Sequence, residues 1–486
     1  MSGSEDEWQT VGRSRTRQQR QRICYIEDEP YEAHGSYDAK NDTLAPCVEN
    51  GMEIQGNGGP ALCRWEHPWN EVQYTIMTPE GRALQHVKND IQKEAQWDDF
   101  KKITNPYEYV FLSWNRRSSR SVATRQPLSR SYFKMVEIWR RMDLGKELAS
   151  LVQRDGGLKT AHAAEGPGGF IEACWEQSKI LEWPVLQTDA ITLRSDARNI
   201  PGWRKASRFL AERPQIHIHE GADGTGDILL RMNQDAFIDV AAGAHIYTAD
   251  GGFDFSADYN AQEDNIFPLL LAECILGIQS LCIGGCMVIK CFDTIEPATL
   301  DLLWIVSRCF REWVIMKPRT SRAGNAERYF VGKGRLPYCE DSIAFLQKVQ
   351  EKKNWVAMPG RLIDVETKEW REWRDALLAF QERVEHQEYE IIRKTLDLIH
   401  AHDFARIRSL VRENIRRSLE WCREFGEPYS LSWANDMERN VTRETQDLLQ
   451  IISPASGFQT TSWYSRTAVP STITFQGFRT MEADTS

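Results

Sequence analysis

The stretch that most constrains the fold is AHIYTADGGFDFSADYNAQEDNIFPLLLAECILGIQSLCIGGCMVIKCF, residues 244–292. It reads as strand, loop, helix, turn, strand. His245-Ile246-Tyr247-Thr248-Ala249 is short and β-prone and stops at Asp250, where Gly251 and Gly252 impose a turn. From Gln262 to Leu281 the apolar residues Ile266, Leu269, Leu270, Ile275, Leu276 and Ile278 recur at mostly helical spacing, which tolerates Pro268 only in the first turn. Gly284-Gly285 ends that run, and residues 286–292 read as a buried strand interrupted by Lys290. Two strands joined by a helical crossover are parallel neighbours, so Asp250 and Lys290 both fall at the carboxyl edge of one sheet. Open α/β sheets bind their ligands along that edge.

With 486 residues, 41% of them apolar, the chain has room for two or three domains and a large core. Eleven cysteines are scattered with no CxxC and no ligand cluster, the usage of reduced thiols in an intracellular protein. No metal site is expected. No apolar run reaches about 18 residues, and MSGSEDEWQT lacks a signal-peptide core, so a soluble protein with no membrane partner is expected. The net charge of −10 argues against coating nucleic acid by bulk electrostatics, but not against a local basic groove. Between Glu108 and Glu137 there is no acid, while Arg116, Arg117, Arg120, Arg125, Arg130 and Lys134 lie among Trp114, Tyr132 and Phe133. That stretch is either a docking strip for a polyanion or a solvated basic loop.

Along the chain, residues 1–45 read as a mobile, charge-mixed arm carrying Arg13, Arg15, Arg17, Arg20 and Arg22. Residues 46–99 form an extension of unclear role, with a short helix expected over 90–98. After the Asn105-Pro106 break, Tyr107–Ser113 looks like a strand. A helix begins near Ser129, with Tyr132, Met135, Val136, Trp139 and Met142 on one face and Lys134 beside that stripe. In KTAHAAEGPGGFIEACW, residues 159–175, an extended segment ends at Glu165, Gly166-Pro167-Gly168-Gly169 turns, and Phe170 opens a helix whose free N–H groups suit a ligand. It is neither a dinucleotide fingerprint nor a phosphate-binding Walker loop. A second strand is expected near Ala190–Leu193, then an acidic turn, GADGTGDI at 221–228, and a helix from Arg231. A helix over 297–310 and a strand over 313–317 follow, then a loop at 318–325 and a final, antiparallel strand from Glu327. Residues 337–453 are helical by pattern and 454–486 a loose Ser/Thr-rich tail.

AEGPGGF (164–170), GADGTGDI (221–228), ADGGFDFS (249–256), CMVIKCFD (286–293) and KPRTSRAGNAERYFV (317–331), in this order, resemble the motifs of FtsJ-like RNA ribose 2′-O-methyltransferases. SRSYFK (129–134) and NPYEYVF (105–111) resemble the upstream part of the cap-specific branch found in eukaryotes and large cytoplasmic DNA viruses. The resemblance covers roughly 100–336. It implies a Rossmann-like class I S-adenosylmethionine-dependent fold with a mostly parallel seven-stranded sheet, followed here by the helical carboxyl region. It also implies a catalytic Lys-Asp-Lys-Glu set, matched by Lys134, Asp250, Lys290 and Glu327.

By the same match, S-adenosylmethionine would lie over Gly166, Pro167, Gly168, Gly169 and Phe170, with Asp227 and Ile228 toward the adenine and Asp250 toward the methionine ammonium. The implied substrate is m7G-capped mRNA, methylated on the first ribose 2′-oxygen. A second nucleotide, another RNA, or an inactive scaffold in a capping or transcription complex are the alternatives. Arg116, Arg117, Arg120, Arg130, Arg319 and Arg322 are the candidates for RNA contact. Tyr107, Trp114 and Tyr132 are equally candidates for the cap base and for core packing. The helical region could bind other capping or transcription proteins, although packing on the sheet is its default. The residues do not tell nucleus from cytoplasm or virus from host.

Overall fold

The structure is a computed structural model and describes residues 32–36, 79–112, 121–194, 202–252, 262–351, 361–363, 367–401, 403–443 and 445. In chain order its elements are β1 (Glu32–Ser36), α1 (Pro79–Ile91), α2 (Trp97–Ile103), α3 (Ser131–Arg141), α4 (Leu144–Asp155), β2 (Leu158–Ala163), α5 (Gly169–Ile180), β3 (Val185–Ile191), α6 (Ser207–Ala211) and β4 (Ile216–His219). There follow α7 (Arg231–Ala241), β5 (Ala244–Ala249), α8 (Gln262–Ser280), β6 (Leu281–Cys291), α9 (Pro297–Ser307), β7 (Phe310–Met316) and β8 (Arg328–Arg335). The carboxyl part is α10 (Glu340–Glu351), α11 (Lys368–Ala401), α12 (Phe404–Glu424) and α13 (Leu431–Arg439).

The strands form one sheet in the order β1-β7-β8-β6-β5-β2-β3-β4. β4, β3, β2, β5 and β6 are mutually parallel, while β8 is antiparallel to both β6 and β7. Strands β2 to β8 supply the seven strands that the resemblance implies. β1 adds an eighth at the edge, antiparallel to β7. It falls within the stretch read as a mobile arm, whose other residues lie outside the described ones.

The period-2 pattern of β6 assigns its side chains to two layers. Met287, Ile289 and Cys291 join the core packed under α7, α8, α9 and α10, while Cys286 and Val288 join the core under α3, α4 and α5. Lys290 continues the second set and therefore turns toward α3, the helix that carries Lys134. α8 is buried nearly all round, as the helix of a crossover sandwiched between sheet and helices must be. Pro268 sits in its second turn, not the first. Burial on every side outweighs the one backbone bond that proline removes.

Two local expectations are corrected. Tyr107–Leu112 is not a strand: residues 108–110 form a single 3-10 turn, and Asn105 Nδ2 donates to Glu108 Oε2 at 2.5 Å. Side-chain turn chemistry around Asn105-Pro106 overrides the β-prone composition. The helix expected over 90–98 is two helices, α1 ending at Ile91 and α2 starting at Trp97. α11 and α12 enter the same two cores as the sheet. Trp370, Trp373, Leu377, Phe380 and Val384 pack on one side, and Ile392, Leu396, Val411, Ile415 and Trp421 on the other.

Candidate active site

At the carboxyl edge of β5 and β6 the four matched residues meet. Lys290 Nζ lies 3.2 Å from Asp250 Oδ1 and donates to the Asp250 carbonyl at 2.8 Å. Lys134 Nζ lies 2.6 Å from Glu327 Oε1. The two ion pairs are joined by Tyr329, which stands opposite Lys290 in the β6–β8 ladder. Its hydroxyl is 2.9 Å from Asp250 Oδ1 and 3.2 Å from Glu327 Oε1, and Lys134 Nζ donates to it at 3.4 Å. Ser321 Oγ also donates to Glu327 Oε1, at 2.8 Å. All four charged side chains are largely buried, so lysines and carboxylates alternate in a low-dielectric setting.

Burial alone would lower the Lys290 ammonium. The carboxylates of Asp250, Glu327 and Glu273 outweigh it, and the group is held above its ordinary value of 10.5. Glu327 is likewise pushed up by burial, but Lys134 and Lys290 hold it well below the usual carboxylate range. Burial pushes Lys317, just behind Glu327, down to about 8. Its amine donates to the Glu327 carbonyl at 3.0 Å and to Asn325 Oδ1 at 2.8 Å.

Beside this cluster the β2-to-α5 turn forms a side-chain-free cradle. Gly168 has φ 100°, the left-handed region that favours glycine. At Gly169 a Cβ would stand 2.1 Å from Ser131 Oγ and 2.2 Å from Ser129 Oγ, so the start of α5 lies directly against the start of α3. The turn abuts the β5 end, where a Cβ on Gly251 would come within 3.0 Å of Ala164 Cβ. The start of α5 and the Asp250 end of β5 thus lie on the same sheet edge. Asp227 and Ile228 lie beyond β4 on the same edge. Asp227 Oδ1 accepts from Leu229 N at 3.0 Å, and Ile228 is buried in the core beside Ile191.

The basic residues have unexpected partners. Arg130 Nη1 and Arg322 Nη2 both grip Glu108, at 3.0 and 3.1 Å. Glu108 is pushed up by burial, but the two guanidinium groups bring it down to about 2. Arg319 is paired with Glu424, and Arg125 with Glu176 and Glu427. In this arrangement the guanidinium groups are engaged by carboxylates of the chain itself. Arg116, Arg117, Arg120 and Trp114 lie outside the described residues. Tyr132 and Tyr107 are buried, and the Tyr132 hydroxyl donates to Glu427 Oε1 at 3.0 Å, so both are core residues.

A cavity of about 140 Å³ opens on the other side of the 322–326 loop, between α1, α2 and α11. Trp97, Ile391, Arg322 and Lys101 line it. Asn105 and Glu388 border it too, but Asn105 Oδ1 and Glu388 Oε2 are themselves fully buried, acceptors without a hydrogen-bond donor among the described residues. Two site features escaped sequence reasoning, Tyr329 and this cavity. The ladder position opposite Lys290 was the available signal for the first. Among the described residues no group of His, Cys, Asp and Glu is arranged to hold a metal ion, and no helix is long and apolar enough to cross a membrane.

A profile of the family described as FtsJ-like methyltransferase matches residues 127–335, the span that contains the cradle and all four charged residues. Residues 127–335 are thus similar to the FtsJ-like methyltransferases. Among curated proteins, cap-specific mRNA (nucleoside-2′-O-)-methyltransferase 2 of Danio rerio is 28% identical over 290 residues, 56% of this chain and 37% of its own length. Cap-specific mRNA (nucleoside-2′-O-)-methyltransferase 1 of Mus musculus is 31% identical over 204 residues, 40% of this chain and 24% of its own. The probable methyltransferase EP424R of African swine fever virus is 27% identical over 327 residues, 63% and 67% of the two lengths. The chain therefore spans about a third of the Danio rerio protein and about a quarter of the mouse one. In the FtsJ-like domain both the cradle and the ion pairs sit where a doubly wound sheet binds ligands.

Proposed function

We propose that this protein transfers a methyl group from S-adenosylmethionine to the ribose 2′-oxygen of the first transcribed nucleotide of m7G-capped mRNA. One observation carries the reading: Lys134, Asp250, Lys290 and Glu327, drawn from four separate motifs, form two linked ion pairs beside a glycine cradle. The residues fit the methyl donor. The cradle leaves no room for side chains, the α5 N-terminus offers N–H groups, and Asp250 presents an anion to a cationic ligand. Gly166, Pro167, Gly168, Gly169 and Phe170 would hold its amino-acid end, Asp250 its ammonium, and Asp227 and Ile228 its adenine side. S-adenosylmethionine would supply a methyl group made electrophilic by the positive sulfur.

The chain's own task is to present a 2′-hydroxyl and remove its proton. Lys290 is assigned to the hydroxyl oxygen, first as a hydrogen-bond donor and, once neutral, as the proton acceptor. Asp250 fixes its amine from one side, and Lys134, held by Glu327, adds a second positive charge nearby. Because the neighbouring carboxylates raise its pKa despite burial, Lys290 is overwhelmingly charged near neutral pH and the neutral amine is the scarce form. The proton transfer is therefore the step that pH should control.

The test is transfer of labelled methyl to a short RNA, either m7G-capped or bearing a bare triphosphate, by the wild type and Lys290→Ala. Transfer to the capped RNA alone, at the first ribose and lost in the variant, is the expected result. Label on the second ribose, or on both RNAs, would change the substrate. No transfer to either RNA would leave a methyltransferase-fold scaffold.

A further inference from the structure

Glu137 lies on α3, three residues after Lys134, and has no part in the motifs. Its side chain is fully buried and collects donors from two other parts of the chain. Oε1 accepts from Arg319 N at 2.8 Å. Oε2 accepts from Thr320 N at 3.1 Å, Thr320 Oγ1 at 3.0 Å and Trp421 Nε1 at 3.0 Å. Burial alone pushes this carboxyl above the usual range, against the pull of those donors. A helix interior that only needed packing would carry an apolar residue here, so the buried carboxylate answers to the donors.

The contacts close a ring. Lys134 and Glu137 are neighbours on one helix face. Glu137 holds the backbone of residues 319 and 320. The next residue, Ser321, donates to Glu327 Oε1 at 2.8 Å, and Glu327 returns to Lys134 at 2.6 Å. We propose that Glu137 is a positioning residue which pins the 318–325 loop to α3 and thereby fixes the Lys134–Glu327 pair, with Trp421 of α12 as its outer support. This rests on the methyltransferase reading for its kinetic consequence but not for its structural one. Loss of the clamp lets the loop and Glu327 drift from Lys134, and displacement of about 1 Å at such a site costs up to about 100-fold in rate.

The experiment compares the wild type with Glu137→Gln and Trp421→Phe in the full chain. Hydrogen exchange of the 317–327 peptide is measured beside that of β5 and β6, and methyl-transfer kinetics are measured on capped RNA. Glu137→Gln should raise exchange in 317–327 alone and lower kcat by about 10- to 100-fold, with KM for S-adenosylmethionine within about twofold. Trp421→Phe, which removes one donor of the set, should shift both in the same direction by less. Unchanged loop exchange in Glu137→Gln would overturn the proposal, as would exchange rising equally in β5 and β6, because the residue would then serve only general stability. If the wild type transfers no methyl group, the function reading fails, and the exchange measurement alone still decides the clamp.

Discussion

Lys290 shows how far a single residue's chemistry follows from its neighbours. Three carboxylates hold its ammonium charged, so the neutral amine is the scarce form. The neutral fraction rises with pH, toward a pKa that the carboxylates have raised. If the amine accepts the proton, single-turnover rates should climb about tenfold per pH unit between about pH 7 and 9 without a plateau. A flat profile would mean that Lys290 acts only as a charged hydrogen-bond donor. Asp250 and Lys290 were legible as neighbours because a strand–helix–strand unit places their positions on one sheet edge. Lys134 was not legible from its helix, where it reads as a surface lysine, until the order of the motifs singled it out. Tyr329 stayed hidden because an aromatic residue in a buried strand reads as packing. Arg130 looked like part of an open basic strip because the acid that binds it, Glu108, lies just outside the acid-free run.

Among the elements, α3 and α5 meet in a close approach at Gly169. A methyl group at position 169 would enter the space of Ser129 Oγ and Ser131 Oγ and push α5 away from α3. Gly169→Ala should cost about 1–3 kcal/mol of stability and weaken S-adenosylmethionine binding at least about tenfold, read by urea unfolding and by calorimetric titration. Gly202→Ala is the control, since nothing lies within 4 Å of its added Cβ, and both properties should remain near wild type. α11 was readable because burial on one helix face writes itself into the spacing, and α8 because its long apolar run between two strands leaves room only for a crossover helix. The short β4 and the edge strand β1 were not, because pairing partners far along the chain decide such strands. The 107–113 segment misled for the opposite reason, a local side-chain turn defeating a β-prone composition.

At the scale of the molecule, the carboxyl helices share a buried ionic network with the sheet. Lys88 on α1 lies 3.3 Å from Asp293 Oδ2 and 3.2 Å from Glu388 Oε1 on α11. Arg328, fully buried at the start of β8, lies 3.1 Å from Asp293 Oδ1 and also donates to Gln381 of α11. Amphipathic spacing announced that residues 368–424 bury one face, but not that the face covers β8 and α3, because periodicity carries no information about the partner. Asp293 is the hinge of this network, since among the described residues it alone is ion-paired with both cations. Asp293→Asn leaves two buried cations with weakened compensation and should cost about 3–5 kcal/mol. Because the sheet, α1 and α11 meet at this point, the loss should displace one cooperative urea transition as a whole, with tryptophan fluorescence and far-ultraviolet dichroism moving together. Two separated transitions, with only the later one unaffected by the substitution, would show that the helical region folds on its own. In that case its contacts with the site could be removed without unfolding the methyltransferase sheet.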